Sequence, residues 1–230
     1  MQECQGCVLQ GELVSAALRA PIGSPTLAEL AKAARPGGAR NALVIVDDIS
    51  RPTPVHSLLP PLLDELRVGG VPEDGIEFLL ALGSRRFMTH LEIEKKIGPE
   101  IAARFSVHNH DWKNHSACEL IGKTVQGVGV WINRRVPRAD LVVGVGRIMP
   151  IEVCGFTGSG KIPVPGVCGK LTNDEMHRTR MDMLDRQVIG KRDNPIRASI
   201  DALARAAGLD FIVNVVMDGG GTCSTSWPAT

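Results

Sequence analysis

A glycine-rich loop that ends in a lysine is the part of this sequence best suited to binding or covalent chemistry. Gly155, Gly158 and Gly160 precede Lys161 in the segment GFTGSGK. Glycine has no Cβ, so backbone N–H groups in such a loop can come close to a ligand, and the lysine adds a cation or an amine. The loop therefore predicts a site for an anion, or for a group bonded to the Lys161 amine.

The same loop matches most of a nucleotide-binding P-loop, but it departs from that motif at two points. Ile162 follows the lysine, where a P-loop has the hydroxyl residue that binds magnesium. Pro163, Pro165 and Gly166 then interrupt the helix whose N-terminus would hold the phosphates. Hydrolysis of a nucleoside triphosphate is therefore the weakest of the functions considered.

Two other polar loops follow apolar runs that predict buried strands. Asp48 and Arg51 follow the run NALVIV, and Arg85 follows GIEFLLAL. The carboxyl ends of parallel strands meet at one edge of a sheet, so these side chains and Lys161 are expected to converge there. An alternative remains open for the first loop, in which Asp48 caps the next helix and Arg51 is its surface ion partner.

Other candidate metal ligands are more simply explained as structural residues. His108 and His110 would face the same way on a strand, but no third ligand stands at a suitable spacing. Cys4 and Cys7 have the spacing of half a zinc knuckle, and no second pair follows.

Composition argues against several classes of partner. The chain has 230 residues, with 26 basic and 25 acidic side chains, and lacks a basic stripe with interleaved aromatic residues, so nucleic acid is not expected as a partner. Six scattered cysteines suit a reducing compartment. The sequence shows neither a signal peptide nor an apolar run long enough to cross a bilayer, which predicts a cytoplasmic protein without a membrane partner.

Alternating strand and helix patterns predict the fold. Short apolar runs predict buried strands, and the segments between them have helical periodicity with capping residues. The expected fold is an α/β domain, a Rossmann-like three-layer sandwich whose mostly parallel sheet carries helices on both faces. The predicted strands are 41–46, 75–82, 105–110, 124–132, 141–145 and 211–217. One domain is expected over 1–218, with a disordered tail over 219–230.

Several stretches together resemble the N-terminal domain of the lactate racemase family, the nickel-pincer-nucleotide enzymes. They occur in order, at compatible spacings, over about residues 11–218, and they are PIGS from Pro21, DDISRPTP from Asp47, ALGSRRFMT from Ala81, NHD from Asn109, GFTGSGK from Gly155, PG from Pro165 and FIVNVVMD from Phe211.

The resemblance implies a cofactor, a substrate class and a set of site residues. Lys161 matches the lysine that is joined by a thioamide to a nickel-pincer nucleotide, and His177 stands where the fourth nickel ligand is expected. Asp48 and Arg51 match positions near the cofactor and the substrate, a small 2-hydroxy acid. Gly158 and Gly160 would let the tethered nucleotide approach the backbone. The implied reaction is racemisation or epimerisation by reversible hydride transfer.

The sequence departs from the family at both positions that carry acid and base histidines. Arg85 stands at the first position and Ile151 at the second, and neither side chain can exchange a proton near neutral pH. His90 or Glu152 would be the replacement proton carrier, with Arg85 as a further catalytic candidate. The family's second domain, which completes the active site, is also absent from these 230 residues and would be a separate or missing partner.

Three functions remain from the sequence alone. The first is a divergent racemase or epimerase that carries the nickel cofactor. The second is a non-catalytic domain that keeps the fold, suggested by the loss of both histidines and of the second domain. The third is P-loop-like nucleotide binding.

Overall fold

A computed structural model describes residues 6–124, 127–181, 188–217 and 223–224. Its centre is a six-stranded sheet of order β10-β9-β6-β1-β2-β3. All neighbouring strands of this sheet run parallel except β10, which pairs antiparallel with β9. Helices cover both faces, so the predicted α/β class is confirmed.

The elements alternate along the chain as the sequence pattern predicts. The strands described are β1 Ala42–Asp47, β2 Ile76–Ala81, β3 Ser106–Asn109, β4 Cys118–Lys123, β5 Gly129–Asn133, β6 Leu141–Arg147, β7 Pro150–Ile151, β8 Gly155–Phe156, β9 Leu209–Met217 and β10 Cys223–Ser224. The helices described are α1 Gly6–Arg19, α2 Leu27–Ala33, α3 Val55–Val68, α4 His90–Ile97, α5 Pro99–Arg104, α6 Arg135–Arg138, α7 Lys170–Met181 and α8 Pro195–Ala206. None of the described helices is long and apolar enough to span a bilayer.

The central strands are buried on both faces because they separate two hydrophobic cores. Successive side chains of a strand point to opposite faces. In β1, Val44 and Val46 join a core formed with α1 to α5, whereas Leu43 and Ile45 join a second core formed with α6, α7, α8 and β5. This arrangement explains the unalternating apolar runs of the sequence.

The strand order creates a crevice at the carboxyl edge of the sheet. From β1 the chain adds β2 and β3 on one side, and it later adds β6 and β9 on the other. Loops after β1 and β6 therefore leave in opposite directions, and ligands of open α/β sheets bind at such a point. Asp48 follows β1 and Arg147 ends β6 at this crevice.

Predicted helix starts agree with the capping contacts. Thr26 and Thr89 each form a capping box, with Glu29 and Glu92 respectively. Asn194 caps α8 through the N–H of Arg197. α1 begins at Gly6.

One predicted strand is confirmed only in part. Of the segment 124–132, residues from Gly129 onward form β5, which pairs antiparallel with β4 in a separate hairpin and not in the central sheet. Gly127 adopts a positive φ of 83°, which suits the turn between the two strands. Of the predicted tail 219–230, the structure describes only Cys223 and Ser224, as β10.

Candidate functional site

The predicted functional loops meet in one cleft of about 300 Å³ at the carboxyl edge of the sheet. Its wall includes the three loops predicted to converge, carrying Asp48, Arg51, Arg85 and Lys161. Parallel strands bring these loops together because each leaves its strand at the same edge.

Lys161 enters this cleft from a short 3₁₀ turn, Ser159–Lys161. No helix follows the lysine until Lys170, so the loop lacks the helix N-terminus of a P-loop. Burial lowers the pKa of Lys161; Cys154 opposes this effect, and the nearby guanidinium of Arg51 adds to it. A lysine with a lowered pKa carries more neutral amine, the form that attacks an acyl group.

The loop's glycines are required by packing against the protein itself. A Cβ on Gly158 would lie 2.7 Å from Oδ1 of Asn214, and its φ is +73°. A Cβ on Gly160 would lie 2.6 Å from Oδ1 of Asp201 on α8. Gly158 lines the cleft, whereas Gly160 does not. Gly160 therefore allows the loop to pack closely against α8.

Asp48 pairs with Arg85 and not with Arg51, which is nearer to it in the sequence. Its Oδ1 accepts hydrogen bonds from the N–H of Ser50 at 2.7 Å and from Nη1 of Arg85 at 3.4 Å. The residue before α3 is Pro54, and no side chain caps that helix. The alternative in which Asp48 caps α3 and pairs with Arg51 was wrong, because the β2 loop places Arg85 beside it.

A buried ion pair beneath the cleft was not anticipated from the sequence. Nζ of Lys96, on α4, lies 2.6 Å from Oδ1 of Asp47 and 2.8 Å from the carbonyl oxygen of Arg51. Oγ1 of Thr53 donates to the second oxygen of Asp47 at 2.5 Å. Burial raises the pKa of Asp47 and lowers the pKa of Lys96, and their mutual attraction opposes both shifts. The signal available in the sequence was a lysine within the apolar stripe of α4, between Ile93 and Ile97.

His177 lies at the cleft on α7, and one of its ring nitrogens forms a hydrogen bond with the backbone. Its Nδ1 is 2.7 Å from the carbonyl oxygen of Asn173. A carbonyl only accepts, so Nδ1 is the donor of this bond, and Nε2 is the ring nitrogen that the bond leaves available. Metal-binding histidines are held in this way by a bond from the other nitrogen. Asn173 is itself fixed, since its Nδ2 donates to the carbonyl of Cys168 at 2.6 Å.

The remaining histidines make structural contacts. His110 is fully buried, with Nε2 2.9 Å from the carbonyl of Cys168 and Nδ1 3.2 Å from Nδ2 of Asn133. His108 contacts Glu77 at 3.4 Å. Within the described ranges no group of three or more His, Cys, Asp or Glu side chains is suited to a metal. Cys4 lies outside the described residues.

The two candidate proton carriers occupy different places. Glu152 lines the cleft next to Ile151. His90 is not among the cleft residues; it is the first residue of α4, 76% exposed, and contacts Glu94 at 3.1 Å. The capping box of Thr89 starts α4 outside the cleft and so carries His90 away from it.

Arg147 is a cleft residue that sequence reasoning missed. It ends β6, and its Nη2 lies 2.6 Å from Sδ of Met149. The available signal was a charged residue directly after the apolar run of 141–146.

Comparisons with known proteins agree with this architecture. The chain is 32% identical over 217 residues to the lactate racemase of Thermoanaerobacterium thermosaccharolyticum, which covers 90% of this chain and 47% of that protein. It is 33% identical over 208 residues to the lactate racemase of Lactiplantibacillus plantarum, covering 90% and 48% respectively. The chain thus spans about half the length of the curated relatives it matches.

Solved structures support the same relationship. The lactate racemase apoprotein of T. thermosaccharolyticum superposes with a TM-score of 0.85 at 31% identity, covering 93% of this chain and 50% of that one. A protein of Thermotoga maritima has the same fold, with a TM-score of 0.73 at 23% identity over 93% of this chain and 52% of its own. The family model for the lactate racemase N-terminal domain matches residues 3–189. The chain therefore belongs to the lactate racemase N-terminal domain family.

Proposed function

We propose that this chain is the cofactor-carrying part of a racemase or epimerase that acts on a 2-hydroxy acid. The observation that carries the proposal is the Lys161 amine, which lies in the cleft with a pKa lowered by burial. An amine at the switch point of the sheet whose charged form is disfavoured is suited to a covalent bond with a ligand carrying an acyl group. The similarity to two lactate racemases over nine-tenths of the chain supports this enzyme type over a non-catalytic domain.

The residues present fit the nickel-pincer nucleotide that the family implies. Lys161 would hold the nucleotide, and Nε2 of His177 would bind nickel, because Nδ1 is committed to the Asn173 carbonyl. When bound, this group supplies a reversible hydride acceptor for C2 of a 2-hydroxy acid.

Arg51 and its support would position the substrate. A guanidinium binds both oxygens of a carboxylate, and no carboxylate within the described part of the chain forms an ion pair with Arg51. Lys96 binds the carbonyls of Arg51 and Thr53 and so fixes the loop that carries this guanidinium. Asp48 holds Arg85 at the cleft by their 3.4 Å contact.

Proton transfer in this chain requires a group other than the two replaced histidines. Arg85 stays protonated and Ile151 has no exchangeable proton. Glu152 lines the cleft and is the carboxyl group we propose as the proton carrier. The opposite wall of the cleft would come from a further domain, corresponding to the half of the relatives that this chain does not match.

Covalent loading tests the proposal without measuring turnover. After co-expression with the enzymes that make the nickel-pincer nucleotide, we expect a mass adduct on Lys161 and bound nickel. Lys161→Ala should lose both, whereas His177→Ala should keep the adduct and lose most of the nickel. Lys170→Ala is the matched control, because Lys170 is exposed and forms its ion pair with Asp174. An unmodified chain, or an adduct that persists in Lys161→Ala, would contradict the proposal.

A further inference from the structure

Two guanidinium groups in the cleft have no carboxylate partner among the described residues. Asp47 contacts Lys96 and Thr53, and Asp48 contacts Ser50 and Arg85. The structure shows no ion pair for the side chain of Arg51 or of Arg147 within the ranges it describes. Arg51 and Arg147 are therefore guanidinium groups of the cleft wall without a described ion pair, and the third carboxylate of that wall is Glu152.

Arg147 is the less satisfied of the two. Its Nε is buried and has no hydrogen-bond partner in the described part of the chain. Its Nη2 contacts the sulfur of Met149, which is a weak acceptor. A charge removed from water is costly unless an opposite charge or good acceptors compensate it. Because Arg147 lines the cleft, an anionic oxygen group bound there would place an opposite charge near its guanidinium.

Arg147 and Arg51 lie around the same buried pair. The carbonyl of Arg51 accepts a hydrogen bond from Lys96 at 2.8 Å. The guanidinium of Arg147 is near enough to Lys96 to lower its pKa. Arg51 thus comes from the loop after β1 and Arg147 from the end of β6, on the two sides of the switch point. A ligand lying across this crevice would meet one guanidinium from each side.

We infer that Arg147 binds a second anionic oxygen group, so that the cleft takes a ligand with two anions. The group is either the second carboxylate of a 2-hydroxy dicarboxylic acid or the phosphate of a nucleotide held at Lys161. The assignment of the first carboxylate to Arg51 rests on the proposed function, whereas the assignment of an anion to Arg147 does not.

Calorimetric titration of the 230-residue chain, without cofactor, tests this inference. The probes are lactate, malate, inorganic phosphate and nicotinic acid mononucleotide at low ionic strength. We expect malate to bind about tenfold more tightly than lactate, since its second carboxylate can form a charge-assisted hydrogen bond with Arg147. Arg147→Gln should remove this preference and leave the weak binding of lactate unchanged. Arg138→Gln is the control, since Arg138 is exposed on α6 and does not line this cleft.

The outcomes separate the two sources of the anion. Malate binding that depends on Arg147 assigns the site to a substrate carboxylate. Binding of phosphate or the mononucleotide that depends on Arg147, without a preference for malate over lactate, assigns it to a nucleotide phosphate. If Arg147→Gln, shown to be folded by circular dichroism, changes none of these affinities, the inference is wrong. Arg147→Lys, which keeps the charge, should retain part of the affinity. These titrations use the chain without cofactor, so their results do not depend on whether a nucleotide can be attached to Lys161.

Discussion

At the scale of single residues, Lys161 combines a reactive group with an environment that disfavours its charged form. Burial is the main cause of its lowered pKa, and the guanidinium groups of Arg51, Arg197 and Arg85 act in the same direction. This environment differs from what a P-loop lysine needs, since that lysine acts as a cation on phosphate.

The lowered pKa is directly measurable. With lysine labelled at Cε, we expect the ¹³C signal of Lys161 to titrate below the ordinary lysine value of about 10.4, because burial disfavours its charged form. Between the folded and unfolded pKa values the unfolded chain binds more protons, so this group adds to stability as pH rises. Lys161→Arg identifies the signal by its loss. A midpoint at or above the ordinary value would contradict this account.

The packing role of Gly160 gives a second prediction. Gly160→Ala should lower the free energy of unfolding by about 1 to 3 kcal/mol, because the new methyl group overlaps Asp201 and Ala204 of α8. Urea unfolding measures the change. Gly122→Ala is the control, since nothing lies within 4 Å of a Cβ there. Equal stability of the two variants would show that the loop tolerates a side chain at 160.

At the scale of elements, α4 supports the cleft from outside it. Its first residue, His90, lies in solvent, while Lys96 lies two turns later and is 3% exposed. The helix thereby fixes Asp47 and the carbonyls of the loop that carries Arg51. None of the residues of α4 lines the cleft, yet α4 fixes the loop that carries Arg51, which does line it.

Removal of Lys96 should be costly and pH-dependent. Lys96→Met leaves Asp47 buried without its partner, which destabilises a protein by about 3 to 5 kcal/mol. The folded-state pKa of Asp47 would then lie further above its unfolded value. The folded chain binds the extra proton, so the loss should be largest at neutral pH and shrink as pH falls towards the unfolded pKa.

Chemical unfolding at several pH values measures this effect. Asp47→Asn combined with Lys96→Met removes the orphaned charge and should recover part of the loss. A destabilisation that does not change with pH would show that Asp47 does not carry it.

At the scale of the whole molecule, one sheet joins two cores. Val44 and Ile45 are adjacent in β1, yet they face different cores and both are 0% exposed. Loss of either core would expose one face of β1. The other core packs against the opposite face of the same strand and would lose its support. The described domain is therefore expected to unfold as one unit.

Paired substitutions in β1 test this expectation. Val44→Ala and Ile45→Ala should each destabilise the fold by about 2 to 4 kcal/mol. Each should shift the unfolding midpoint equally by tryptophan fluorescence, to which Trp112, Trp131 and Trp227 contribute, and by far-ultraviolet circular dichroism. Leu13→Ala, at a 37% exposed position of α1, is the mild control. Separate midpoints for the two probes would mean that the cores unfold independently.

The sequence by itself determined the features that depend on local order along the chain. Apolar runs gave the central strands, and Thr26 and Thr89 gave two helix starts, because side-chain periodicity and capping involve residues a few positions apart. The sheet edge at which Asp48 and Lys161 meet also followed, since parallel strands all end there.

Only the tertiary structure decided which distant groups pair. It placed Arg85 rather than Arg51 on Asp48, buried Lys96 against Asp47 and left Nε of Arg147 without a hydrogen-bond partner among the described residues. It also turned 118–133 into a hairpin outside the central sheet. Ion pairs and strand partners depend on which loops meet in space, and their energies depend on burial, which neighbours in the sequence do not specify.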